Sequence, residues 1–575
     1  MLVDNSHRGG IVGHFLKRNV VLLVFVLSTS LLHADDLDDL ARDFWAWRAM
    51  EQPISTDDIP RLERPPGWGP DWSPRTVVSY RRRLDEFEAR RGKMNLSSAP
   101  IPRQVDYRLI GSAIARVRWE LDLNRGWQRN PNFYLDQSLG AYFNLLLPPP
   151  PFDSARTRHI VNTMASIPGT IEDAKENLTQ AVGPFARLAL DQLQDIGPRL
   201  LKSVQELKPL LDSEGARDLD AATEKAITAL ESYRNWLKQR MPSMSSQSAI
   251  GRDAYVFFLK NVALLPYTPE QLLRAGRDEW ARSVAFQTYE EHRNIGQPQL
   301  ALFKDQAEQI AHEEKDELAV RQYLEAKDIL TVPKWVQHYR FAALPPYLEP
   351  LSSIGEDDYF TGPTHLKENG IRYIAPPSPS LGYFPLTTAK DPRGEIVHEG
   401  VPGHYFQLVL SWANPDPIRR HYYDSGANEG IGFYAEEMML EAGLFDDSPR
   451  TREIIDNFMR LRALRVEVDV RLALGEFSLD QGAEYLKNTV PMDGSTAHAE
   501  AAFFASSPGQ AISYQIGKLL IIKFLADARR RQGDAFNLRR GFHDFLWQNG
   551  NVPIALQRWE YLGLKDDVDT LQQLH

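Results

Sequence analysis

Apolar residues recur at three- and four-residue intervals through most of this chain, the spacing of helices with one buried face. Across residues 171–241 the series includes Leu188, Leu190 and Leu193, then Leu200 and Leu201, then Leu207, Leu210 and Leu211. Pro184, Pro198 and Pro209 divide this stretch into separate helices, because proline lacks the backbone donor that a helix interior needs. A second helical block is predicted over residues 269–326. A third, over 450–487, presents Ile454, Ile455, Phe458, Leu461, Leu464 and Leu472 as its core face. Residues 97–104, the proline run 148–151 and the four-serine stretch 242–251 read as linkers. No internal repeat or long low-complexity segment interrupts the pattern. The fold class predicted is mainly α.

One region breaks the helical spacing. Residues 342–393 hold nine prolines with several glycines and aromatics. Within it, residues 371–374 and 382–386 read as short strands. Pro385 makes the second an edge strand or a strand end, since proline cannot donate to a ladder. This small β element directly precedes the segment richest in chemistry.

Composition narrows the function. The chain has 575 residues, 43% hydrophobic and 25% charged, with a formal net charge of -11. That length allows several domains or one large helical fold. Nucleic acid is excluded as a partner on this balance, because phosphate binding needs a basic face that an acidic chain does not supply. The arginine triplets 81–83 and 529–531 read as solvated helix faces. There is no cysteine, which removes disulfides, a cysteine lipid anchor and any thiolate ligand or nucleophile.

At the N-terminus Arg8, Lys17 and Arg18 precede an apolar run from Val20 to Leu32, followed by Ala34 and an acidic stretch. That order is the order of a secretory signal. The run falls short of the ~20 apolar residues a membrane span requires. Residues 1–34 are therefore read as a signal peptide, with an uncleaved anchor as the alternative and the sole route to a membrane. The mature protein is expected to be exported, to the periplasm or outside the cell.

The segment Gly394 to Leu410 contains His398-Glu399 and a second histidine, His404, six positions after the first. In H-E-x-x-H the histidines stand four apart on one helix face, with the glutamate as general base. A six-residue step on a regular helix turns by ~600° and leaves the histidines ~120° apart. Pro402 and Gly403 lie inside the gap, and proline clashes with the carbonyl four residues before it, that of His398. The two histidines can share one ion if a bulge or wider turn distorts the helix here. Downstream, Glu429 follows His404 by 25 residues, enough for a helix to end and return. Glu436 is seven residues further, on the same helix face, where it can orient a ligand. Two histidines and a carboxylate leave a position open, as in a catalytic rather than a structural zinc site. Glu399 is then placed to accept the proton of an activated water. His421, His498 and His543 have no partner pattern and read as ordinary histidines.

His398-Glu399-Gly400-Val401-Pro402-Gly403-His404, with Glu429-Gly430 and Tyr434-Ala435-Glu436, resembles a large bacterial family of exported proteins of unknown function marked by H-E-x-x-P-G-H. The segment from Pro508 to Gly517, and Arg465 with Asp469 four residues on, resemble its C-terminal signature. The resemblance runs from about residue 37 to the C-terminus. That family is similar to the mostly helical gluzincin peptidases, including angiotensin-converting enzyme, oligopeptidases and thermostable bacterial carboxypeptidases.

The resemblance implies a single domain over 35–575, with two helical halves around a deep channel. It implies one zinc ion per chain on His398, His404 and Glu429, and Glu399 as base. Tyr514 would donate to the oxyanion, contact a substrate carboxylate, or simply pack. Residues 383–386 would form the strand edge on which a peptide lies. The chain departs from the family's common pattern at Tyr405, Ile431, Arg471, Ala473 and Phe503.

The function predicted is zinc-dependent hydrolysis of short peptides. The alternatives are an exported protein that holds peptide without cutting it, and a zinc amidase acting on non-peptide amides. Oligomeric state and mode of cleavage are not legible here.

Overall fold

The computed structural model describes residues 36–51, 62–65, 68–69 and 71–574, so the apolar run at 20–32 and its cleavage region lie outside the described residues. The chain is mainly helical, with one three-stranded sheet. Among the described residues no helix is long and apolar enough to cross a membrane.

Buried apolar side chains gather into two cores. One is built mostly from the first half of the chain, including Phe44, Leu109, Ile171, Leu200 and Leu230. Its long helices are Ser154–Asn177 and Ser213–Arg240, packed along each other. Asp153 and Asp212 cap them by accepting from the first free backbone amides. Their buried faces follow the helical repeat: Ile160, Met164, Ile167 and Ile171 on one, Leu219, Ala226, Leu230 and Leu237 on the other. The other core comes mostly from the second half and holds Ile396, Phe433, Leu464 and Ile516. There Pro269–Arg293 packs on Pro449–Leu474, and Ser425–Glu441 on Gln510–Gln532.

The prolines act as predicted. Pro184 falls in the first turn of Gly183–Gln192, Pro198 in that of Ile196–Leu207, and Pro209 in the 3-10 turn Lys208–Leu210. The block at 269–326 is two helices, Pro269–Arg293 and Gln306–Ala326. The block at 450–487 is also two, Pro449–Leu474 and Leu479–Thr489. Gly475, at φ 79°, ends the first of these, and a capping box from Ser478 starts the second. Five of the six core positions named for this block are buried, and Ile454 is half-buried against a cavity. The linker at 97–104 is shorter than predicted, because Ile101–Arg118 begins inside it. Pro102 sits in its first turn, where no donor is missed.

The sheet has the order β1-β3-β2, with β1 at Tyr339–Ala343, β2 at Asp358–Tyr359 and β3 at Gly370–Ile374. β3 confirms the strand predicted at 371–374 and runs parallel to β1, with Tyr339 opposite Gly370, and antiparallel to β2. The second predicted strand is corrected: Tyr383–Thr388 is a short helix. Pro385 is its third residue, within the turn whose amides have no intrahelical partner. The Asp493 carboxylate accepts from the Tyr383 amide at 3.1 Å, capping the turn from 110 residues away. Residues 383–386 therefore offer no strand edge for a peptide.

Candidate metal centre

The first histidine sits in a widened turn. Ile396–Gly400 is a single π-helical turn that follows the short helix Arg393–Glu395, and residues 401–403 then leave the helix before His404–Trp412 begins. The distortion predicted around Pro402 and Gly403 is a complete break between two helices. Gly403 makes it possible: a Cβ there would lie 1.7 Å from the His398 carbonyl oxygen and 2.6 Å from that of Val397. Trp547 fastens the turn by donating its indole N–H to the Pro402 carbonyl at 2.6 Å.

That break brings the imidazoles together, with ring centroids 4.7 Å apart and planes at 74°. The helix Ser425–Glu441 supplies the rest. Glu429 Oε2 lies 3.1 Å from His404 Nε2 and 3.6 Å from His398 Nε2. One nitrogen from each histidine and a Glu429 oxygen all fall within 4.8 Å of one another, and all three residues are buried. Gly432 is one turn beyond Glu429, where a Cβ would come within 2.9 Å of the His404 ring and 3.1 Å of the His398 ring. Only a residue without a side chain lets both rings lie against this helix.

Glu436, fully buried, places Oε1 at 2.6 Å from His398 Nδ1. The seven-residue spacing thus puts both carboxylates on His398, one at each ring nitrogen. Gln510 donates its amide to Glu429 Oε1 at 3.4 Å and accepts from the Ser425 hydroxyl at 2.6 Å. The Nδ1 of His404 is buried without a protein partner.

The electrostatics favour positive charge between these groups. Burial works against a charged imidazole at His398, yet hydrogen bonds to Glu429 and Glu436 push it up to about 9. Burial likewise opposes ionisation of Glu429, and the two histidines outweigh it, holding its carboxyl well below the usual range. A divalent cation would satisfy the same carboxylates, with neutral imidazoles as ligands. The donor set of two imidazoles and a carboxylate therefore fits zinc.

Glu399 is part of the wall rather than of the cluster. Its Oε2 stands 4.0 Å from His404 Nε2, and its side chain is about a quarter exposed to a cavity of about 930 Å³. Both halves of the chain line that cavity, including Leu62, Asn144 and His159 from the first and His398, His404 and Tyr514 from the second. Tyr514 lies on the helix Gln510–Gln532 with its ring stacked over His398, centroids 6.2 Å apart at 16°. Asp469 holds the start of that helix by accepting from the amides of Gly509, Ala511 and Ile512 at 2.7 to 3.3 Å. Arg465 lies 4.7 Å over the Tyr514 ring and pairs with Glu500 through two contacts of 2.7 Å.

The three ordinary histidines stay apart from the cluster. His543 is buried, donates from Nδ1 to the Ile329 carbonyl and accepts at Nε2 from the Tyr434 hydroxyl, and burial lowers it to about 4. Of the five departures from the family pattern, Phe503 lines the cavity. Tyr405, Ile431 and Ala473 are buried in the second core, and Arg471 pairs with Glu467 and Glu476. Sequence reasoning missed Gly432, Glu500 and Arg462. Gly432 had a visible signal, a glycine three residues after a candidate ligand on a predicted helix. The other two had none.

Comparisons with known proteins agree on the fold. The chain is similar to two solved structures, each of a candidate lipoprotein. That from Colwellia psychrerythraea is 17% identical, with a TM-score of 0.69, covering 95% of this chain and 98% of its own. That from Shewanella oneidensis, also of unknown function, is 18% identical, with a TM-score of 0.66, covering 92% and 98%. No curated protein matches the chain. Residues 67–559 match the family model described as "Bacterial protein of unknown function (DUF885)", and the chain belongs to that family.

Proposed function

We propose that this protein is an exported zinc-dependent peptidase acting on short, unfolded peptides, working in the manner of the helical gluzincins. One observation carries the reading: His398, His404 and Glu429 converge within 4.8 Å on the wall of a cavity that also exposes Glu399. A buried triad of this composition away from any cavity would be a structural ion cluster. At a cavity wall, beside a free carboxylate, it is a reaction centre.

His398, His404 and Glu429 would hold the ion, and a zinc ion held there would supply Lewis acidity toward a carbonyl and toward water. Glu399 accepts the proton of the attacking water and delivers it to the departing amine. Glu436, on Nδ1 of His398, fixes the ring so that Nε2 faces the centre. The Tyr514 phenol is pushed well above its ordinary value, first by burial and then by Glu429, so it remains a donor at neutral pH, and its ring stacked on His398 supports a role toward the developing oxyanion. A cavity of this volume, lined by both halves of the chain, suits a short, narrow peptide better than a folded protein. Export is supported by the N-terminal apolar run and by the candidate lipoproteins of similar fold, although this chain has no cysteine to carry a lipid.

The test compares zinc-loaded full chain with Glu399→Gln on a mixed library of unstructured peptides. The wild type is expected to cut, and the variant to keep its zinc while losing a factor of roughly 10²–10⁴ in turnover. A variant as active as wild type would remove Glu399 as base. Wild type that binds peptides intact and cuts none would replace the peptidase with a peptide-binding protein.

A further inference from the structure

Beside the cluster lies a buried cation that no local motif marks. Arg462 projects from Pro449–Leu474 and is 5% exposed. Its guanidinium lies among three aromatic rings, 5.0 Å from the centroid of Phe458, 5.3 Å from Phe433 and 5.8 Å from Tyr514. Its Nη2 stands 3.0 Å from Glu436 Oε1, the oxygen that also lies 2.6 Å from His398 Nδ1. The guanidinium Nε and Nη1 are buried without a hydrogen-bond partner.

A buried arginine with two donors unmet is costly, and an apolar side chain in the same cage would avoid that cost. Packing therefore does not account for it. What the arginine does is pair with Glu436, a fully buried carboxylate whose other close contact is the His398 ring, with Lys518 attracting it from further off. The neighbouring cation, Lys518, pairs elsewhere, with Glu437 at 2.5 Å and Glu279 at 3.6 Å. The contacts thus run in one line: Arg462 to Glu436, Glu436 to Nδ1 of His398, and His398 Nε2 into the cluster.

We propose that Arg462 is a positioning residue of the metal centre, holding Glu436 so that His398 is fixed in the orientation that binds the ion. This rests on the zinc reading above. The arginine lines the same cavity, and its link to the ion site runs through Glu436 and His398. A single guanidinium nitrogen, Nη2, reaches the carboxylate, while the planar cation lies against the aromatic rings, a placement that the compact ammonium of a lysine does not reproduce.

The experiment measures zinc affinity of purified full chain by competition with a fluorescent chelator, for wild type, Arg462→Met, Glu436→Gln and the double variant. Thermal melts of the zinc-free proteins are recorded alongside. Arg462→Met is expected to fold and to bind zinc about 10–100-fold more weakly. The double variant is expected to bind no more weakly than Glu436→Gln alone, because both substitutions cut the same line of contacts. Wild-type affinity in Arg462→Met overturns the proposal, as does a double variant whose loss is the product of the two single losses. Where Arg462→Met does not fold, Arg462→Lys keeps the charge and is expected to bind several-fold more weakly; wild-type affinity there overturns the proposal equally. Wild type that takes up no zinc would overturn the metal reading itself, and is told apart from the failure of Arg462 by the wild-type arm.

Discussion

Two helices of nearly equal length, one from each half, bury their faces in opposite ways. Ser213–Arg240, with 28 residues, buries Leu219, Ala222, Ala226, Leu230, Tyr233 and Leu237, and none of its charged side chains. Pro449–Leu474, with 26 residues, buries Asp456, Arg462, Arg465, Glu467 and Asp469 among its apolar positions. Removing a charge from water is expensive unless it is paired, so the second helix is a poor design for stability alone. Most of its charges have a task near the cavity. Arg462 meets Glu436 behind His398, Arg465 lies over Tyr514, and Asp469 holds the start of the helix that carries Tyr514. The first half contributes a mixed polar and apolar stretch of the cavity wall, and the second carries the candidate metal ligands on a charged scaffold. On the proposed reading, the first core serves stability and the second the reaction centre.

The contrast is broken most severely at the turn between the histidines. Gly403→Ala would drive a methyl group into the His398 carbonyl, a backbone atom that cannot give way without moving the ligand. The expected loss is above about 4 kcal/mol, or zinc binding is abolished in whatever fraction folds. A variant with wild-type melting and wild-type zinc affinity would show that the break is not sterically fixed. A smaller effect sharpens the same comparison from the other side. Leu230→Ala empties a fully buried position in the first core and should cost about 2–5 kcal/mol by thermal or denaturant unfolding. Zinc affinity of the folded protein should not change. A drop in zinc affinity would mean that the two cores are one mechanical unit.

The contrast also explains what could be read in advance. Helical spacing, proline punctuation and the candidate ligands are local features. His398, His404, Glu429 and Glu436 come together as their spacing predicted, because Pro402 and Gly403 announce the break between the histidines. Residues 383–386 misled because their aromatics favour strand on composition, whereas Asp493 caps them into a helix from far along the chain. β1 was missed for a similar reason, since its pairing with β3 is settled by contacts more than two dozen residues away. Arg462 carried no local signal at all. On its own helix it is one arginine among several, and its meaning comes from Glu436 on a different element.

The central claim is that His398, His404 and Glu429 bind one metal ion. It is tested most directly by the zinc content of the purified protein, measured by elemental analysis after zinc is offered and excess removed, beside His404→Ala. The account predicts about one zinc per chain in the wild type and little in the variant. A wild type that takes up no zinc, or a His404→Ala protein that retains it, would contradict the account.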